Sequence, residues 1–263
     1  MNQRRFILII IVIAMASVAL AMTLSRSGSV KPASQINPAP STLGPARERS
    51  QIDLRNYDPG RAKLENDRIG LWSQYQRATT TSEKETIISK ARESLVRSVY
   101  DETFPYWYGT SWDFNGTTEK PGQGKIACGY FVSTVLRDAG MKVQRTRLAQ
   151  QASENIILSL TTDEHTKRFR EVPIKSFVAA VQTWGTGLYV VGLDMHVGFI
   201  LNIAGDVYFI HSSYVDPYCV VKERALESRI LTESRYRVLG KLSEDDDLIL
   251  KWLRGDQFAT RVV

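Results

Sequence analysis

Apolar positions along the chain change their rhythm several times, and each rhythm marks a different element. From Phe6 to Leu24 there is no charged residue for 19 positions (FILIIIVIAMASVALAMTL), directly after Arg4 and Arg5. Positive residues before an apolar run keep that end in the cytoplasm, so residues 1–24 read as an export segment. Two fates follow. An uncleaved anchor needs about 20 apolar residues, and Ala19-Leu20-Ala21 has the small-x-small form of a signal peptidase site. Residues 25–58 are rich in Ser, Pro, Ala and Arg without apolar periodicity, which predicts a disordered tether.

Residues 59–103 take up helical spacing. Ser82 and Glu85 have the S-x-x-E form of a capping box, and Ile88, Ala91, Leu95 and Val99 recur on one face through Tyr100. A second helical face follows at Phe131, Val132, Val135, Leu136 and Ala139, with Gly140 as its stop. The rhythm then becomes β-like in HVGFILNI and DVYFIHSSY, joined by Ala204-Gly205-Asp206, a hairpin signature. Helices plus an antiparallel hairpin predict an α+β fold. The acidic group Glu244–Asp247, in a C-terminal extension 243–263, reads as a solvated patch.

Composition narrows the class. The chain has 263 residues, 43% hydrophobic and 24% charged, enough for one catalytic domain with appendages. Lys and Arg total 34 against 28 Asp and Glu, a net charge of +6 that attracts polyanions without selecting one. No zinc finger, recognition helix or glycine-rich phosphate loop accompanies that charge, so nucleic acid is not an expected partner. Two cysteines exclude a disulfide-rich scaffold and a four-cysteine zinc site. None lies just after the apolar run, which leaves no lipoprotein attachment point.

Cys128 falls in the first turn of the second helix. Free amides and partial positive charge there favour a thiolate, predicting a lowered pKa, and the Cys128 N–H is an oxyanion donor. The alternative is a small buried core cysteine. His196 and His211 stand 15 residues apart on the two arms of the hairpin. A shared face then lets His196 take the thiol proton and His211 fix its orientation, with the loop or a bulge absorbing the odd offset. His165, in a charged run, reads as surface. Cys219 reads as structural, or in an oxidising compartment as a disulfide partner of Cys128 or of another chain.

Four blocks resemble the NlpC/P60 peptidases over residues 104–240. PYWYGT at Pro105–Thr110 is similar to the family's P-Y-x-x-G-G loop, and ACGYFVSTVLRDAGM at Ala127–Met141 to its D-C-S-G-F/L-V nucleophile helix. RTRLAQQA at Arg145–Ala152 is similar to R-T-x-x-x-Q, and HVGFI with FIHSS to H-V-G-I-Y and the following x-x-H-A strand. The resemblance implies a papain-like catalytic domain over 104–242, its nucleophile helix packed on an antiparallel sheet, acting without metal or cofactor. It implies a cysteine hydrolase of peptidoglycan stem peptides, with Cys128 as nucleophile, His196 as base, His211 as orienting residue and Tyr106 contacting substrate near the oxyanion. With the export segment, this places the protein in the cell envelope, anchored in the cytoplasmic membrane or secreted to the periplasm or wall.

Ala127, Gly129 and Thr110 depart from the family's Asp, Ser and second Gly, and Ser111–Lys125 is longer than the family's loop. These departures keep two alternatives open: a membrane-tethered wall-binding module without turnover, and another papain-like acyl transferase or amidase. The sequence names no protein regulator, although the 59–103 segment adjoins Pro105 closely enough to occlude a cleft.

Overall fold

The computed structural model describes residues 52–262. The apolar run Phe6–Leu24 and the tether as far as residue 51 lie outside the described residues. Among the described residues no helix is long and apolar enough to cross a membrane.

The described residues open on a short 3-10 turn (Leu54–Asn56), followed by two long helices, α1 (Tyr57–Arg77) and α2 (Thr81–Tyr100), and a single turn α3 (Phe104–Trp107). Short strands β1 (Ser111–Trp112) and β2 (Lys125–Ile126) then bracket a loop that leads into α4 (Cys128–Asp138). After β3 (Lys142–Val143) come the short helices α5 (Arg145–Ala149) and α6 (Ser153–Leu158), then β4 (Thr166–Arg170) and α7 (Ile174–Trp184). Strands β5 (Gly187–Leu193), β6 (Val197–Ile203), β7 (Asp206–Ser212) and β8 (Val220–Arg224) follow. The chain closes with α8 (Arg229–Glu233), β9 (Tyr236–Lys241), α9 (Asp246–Arg254) and β10 (Gln257–Phe258).

Six strands make one antiparallel sheet in the order β4-β9-β5-β6-β7-β8. Alternation gives it two apolar faces, as expected of strands buried on both sides. Val197, Phe199 and Leu201 face one cluster with α2, α4 and α9, whereas Ile200, Val207 and Phe209 face a second cluster with α7 and α8. This is the α+β arrangement expected, with helices on an antiparallel sheet.

Several boundaries differ from the sequence reading. Helix begins at Tyr57, so Pro59 sits in its first turn, where a missing N–H costs nothing, rather than marking the end of a tether. The capping box is Thr80 with Glu83, one overlapping match earlier than Ser82 with Glu85. Segment 59–103 and extension 243–263 are not appendages: Ala91, Leu95, Val99, Leu248, Ile249, Trp252 and Phe258 are buried in the first cluster. Arg68 ties the two together, donating to the terminal carbonyls of Trp252 and Leu253 at the end of α9. Within the acidic group, Asp245 is buried, caps α9 at Leu248 and accepts the Thr161 hydroxyl at 2.9 Å. Asp246 pairs with Arg92 of α2.

The hairpin turn contains two residues, Ala204 and Gly205, with φ of 52° and 96°, the type I′ pattern. Ile203 therefore pairs with Asp206, and positions an odd number apart across the turn face the same way. His196 and His211 share a face without any bulge.

Candidate active site

Cys128 is the first residue of α4, after an extended Ala127 that offers no side-chain cap. The first amides of the helix are thus left unspent, and the N–H groups of Cys128, Gly129 and Val197 favour the thiolate. Burial nevertheless outweighs them and pushes the Cys128 thiol above its ordinary value, contrary to the thiolate expected from helix position alone. Gly129 has a local reason: a Cβ there would collide with the Ala149 carbonyl oxygen.

Helix α4 ends in a Schellman motif. Met141 N–H bonds the Leu136 carbonyl and Gly140 N–H the Arg137 carbonyl, with Gly140 at φ 87°. Arg145, in the segment after it, donates to Thr134 Oγ1 at 2.7 Å and to the Thr117 and Thr118 carbonyls at 2.9 Å. The long Ser111–Lys125 loop is therefore clamped to α4.

The imidazoles lie on the α7 and α8 side of the sheet, and α4 on the other. The sheet opens between them. Pairing of β6 with β7 stops at Phe199–Ile210, two residues short of the start of β6 and of the end of β7. Beyond that pair the Val197 amide, one peptide from His196, is near enough to the Cys128 thiol to favour its charged form.

His196 Nε2 and His211 Nδ1 are 2.9 Å apart, with the rings perpendicular. His211 stacks on Phe209 at 3.9 Å, and both cover Gly198, where a Cβ would come within 2.8 Å of His211 Cβ. Burial holds His196 well below the ordinary histidine value, with His211 adding to the effect. Burial also lowers His211, although Glu223 pulls it back up. Both rings are neutral at rest, so His196 Nδ1 is the ring nitrogen left to take a thiol proton.

The sequence reading missed Glu223. On β8, its Oε1 lies 3.1 Å from His211 Nε2. Burial alone would raise this carboxyl, but hydrogen bonds from His211 and Ser228 hold it below the ordinary glutamate value. Strand alternation was the available signal: Glu223 is two residues beyond Val221, the partner of His211, and so on the same face.

Tyr106 is placed elsewhere. Its ring packs on Tyr57 at 5.2 Å, and the phenol beside His196 is Tyr214, edge-on at 5.1 Å. Trp112 lies near Tyr214 and Tyr218, and Met195, next to His196, is 90% exposed. Cys128 and Cys219 form no disulfide with one another, and His165 is half-buried. Among the described residues no three His, Cys, Asp or Glu side chains are grouped to hold a metal ion. No family model matches the chain, and neither does any curated protein or any solved structure.

Proposed function

We propose that this protein is a cell-envelope cysteine hydrolase of the NlpC/P60 kind, cutting amide bonds in peptidoglycan stem peptides. The supporting observation is the thiol at the start of α4, within the influence of the amide next to His196, whose Nε2 is held by His211 at 2.9 Å. The apolar run after Arg4 and Arg5 would deliver residues 25–263 across the cytoplasmic membrane and either anchor them there or release them.

The chemistry follows from resting neutrality. The Cys128 sulfur attacks the amide carbonyl carbon as its proton moves to His196 Nδ1, a neutral base from the outset. The N–H groups of Cys128 and Gly129, which serve the thiol at rest, turn to the oxyanion. His196 then gives the proton to the departing amine nitrogen as the C–N bond breaks, leaving a thioester. Water adds to that carbonyl, its proton going to His196, and the released sulfur takes the proton back as the acid leaves.

The test incubates full-length protein and its Cys128→Ala variant with purified peptidoglycan and defined muropeptides, with products read by mass spectrometry. A fragment that depends on Cys128 is expected and would name the bond. Sedimentation of both proteins with the wall and no product from either would overturn the hydrolase and leave a binding module.

A further inference from the structure

We infer that Glu223 is a positioning residue that dictates the tautomer of both imidazoles and so makes His196 a base; the catalytic meaning rests on the hydrolase reading above. The argument starts at Ser228, whose Oγ accepts the Leu231 N–H as the cap of α8 at 3.2 Å. A hydroxyl has one proton, and with that lone pair engaged it is available to the nearby Glu223 carboxylate, which Ser228 helps to hold below its ordinary value.

An ionised carboxylate only accepts hydrogen bonds. His211 must therefore carry its proton on Nε2, the nitrogen 3.1 Å from Glu223 Oε1. Because His211 is neutral, its Nδ1 is then a bare lone pair. The atom facing that lone pair at 2.9 Å is His196 Nε2, which must hold the proton of that ring. His196 Nδ1 is left unprotonated, as a base requires. Reversing the chain shows what Glu223 prevents: with the His211 proton on Nδ1, His196 Nε2 would accept it, and His196 Nδ1 would carry a hydrogen and could not accept one from the thiol.

His211 has little freedom to evade this assignment. Phe209 stacks on it at 12°, the His211 Cβ packs close to Gly198 and the side chain is fully buried, which holds the ring in this orientation. Glu223 itself is one-third exposed, so an acid at this place is not required by packing.

Full-length protein labelled with 15N-histidine and held in detergent micelles gives the direct readout, since the chain has only three histidines. In the wild type, His196 and His211 should each show a protonated Nε2 and a bare Nδ1. Glu223→Leu should populate the Nδ1-protonated form in both rings and cut Cys128-dependent turnover on the order of 100-fold, a wrong-tautomer effect. Glu223→Gln should restore the wild-type tautomers, because its amide oxygen can accept from His211 Nε2 as the carboxylate does. Unchanged tautomers in Glu223→Leu, or an Nδ1–H on either ring of the wild type, would overturn the inference. Tautomers that shift as stated in a protein that cuts no muropeptide would leave the positioning intact and remove the hydrolase instead.

Discussion

The two ends of α4 are built on opposite terms. At the C-terminal end the Asp138 side chain is fully shielded. It accepts the Tyr57 hydroxyl at 2.6 Å and pairs with Arg61 at 2.9 Å and Arg137 at 2.8 Å. Trp107 Nε1 donates in turn to Tyr57 OH at 2.9 Å. A carboxylate at a helix C-terminus is opposed by the helix dipole, so it is held there by these donors, two of them from α1. At the N-terminal end nothing caps the helix, and its amides are directed at a thiol. The contrast teaches a division of labour. Ion pairs and the docked α1 fix the helix from behind, which leaves the front donors free for chemistry.

The sharpest way to break this division is to remove one group from each end and compare rate with stability. His196→Ala should lower muropeptide turnover by about 10³-fold or more, roughly 4 kcal/mol of transition-state stabilisation. Its urea midpoint should stay near the wild-type value, because both histidines are buried against their hydration preference. Asp138→Ala should do the reverse. Removing one partner of a shielded ion pair costs about 3–5 kcal/mol. Arg61 and Arg137 are partly exposed and can turn to water, so the lower end, about 3 kcal/mol, is expected. Turnover per folded molecule should change less than about tenfold. If Asp138→Ala abolished turnover without moving the urea midpoint, the two ends would not be separable.

Legibility in the sequence follows the same division. The front of α4 was readable because a helix-start cysteine and a two-histidine hairpin each obey a local rule, 3.6-residue or two-residue periodicity. The gap between β6 and β7 that lets one meet the other depends on where pairing stops, which no local pattern records. Glu223 was hidden for a related reason. Its register to His211 is set through the excursion Ser213–Cys219, whose closing bond, Ser213 N–H to the Cys219 carbonyl, is a tertiary outcome. The back of α4 was harder still. Helical spacing over residues 59–103 predicts α1, but the helix buries only Tyr57, Leu64 and Arg68, too sparse a stripe to show which face docks. Its docking rests on polar contacts, Tyr57 to Asp138 and Arg68 to α9, and these have no periodicity to read. The Asp245 cap was concealed by its neighbours, since four acids in a row look solvated until one of them is needed as an N-cap.

The smallest expected effect sharpens the comparison by pH. His196 and His211 are held neutral by burial, so their pKa values in the fold lie below those in the unfolded chain. As pH falls below about 6.5 the unfolded chain takes up protons that the folded one refuses, and stability declines; above that pH the contribution is constant. Glu223, lowered in the fold, adds its own loss only in the lower window where carboxylates titrate. Between pH 7.5 and 5.5 the wild type should therefore lose on the order of 1 kcal/mol for each buried imidazole that resists protonation. Urea unfolding at the two pH values measures this, and His196→Leu should recover about half of the decline. Asp138→Ala should be weaker at both pH values by the same amount, because its deficit belongs to the other end of the helix and involves no histidine. A decline that survived His196→Leu intact would mean that this ring takes up its proton in the fold as readily as in the unfolded chain, and burial would then not be what keeps His196 a neutral acceptor for the thiol at the front of α4.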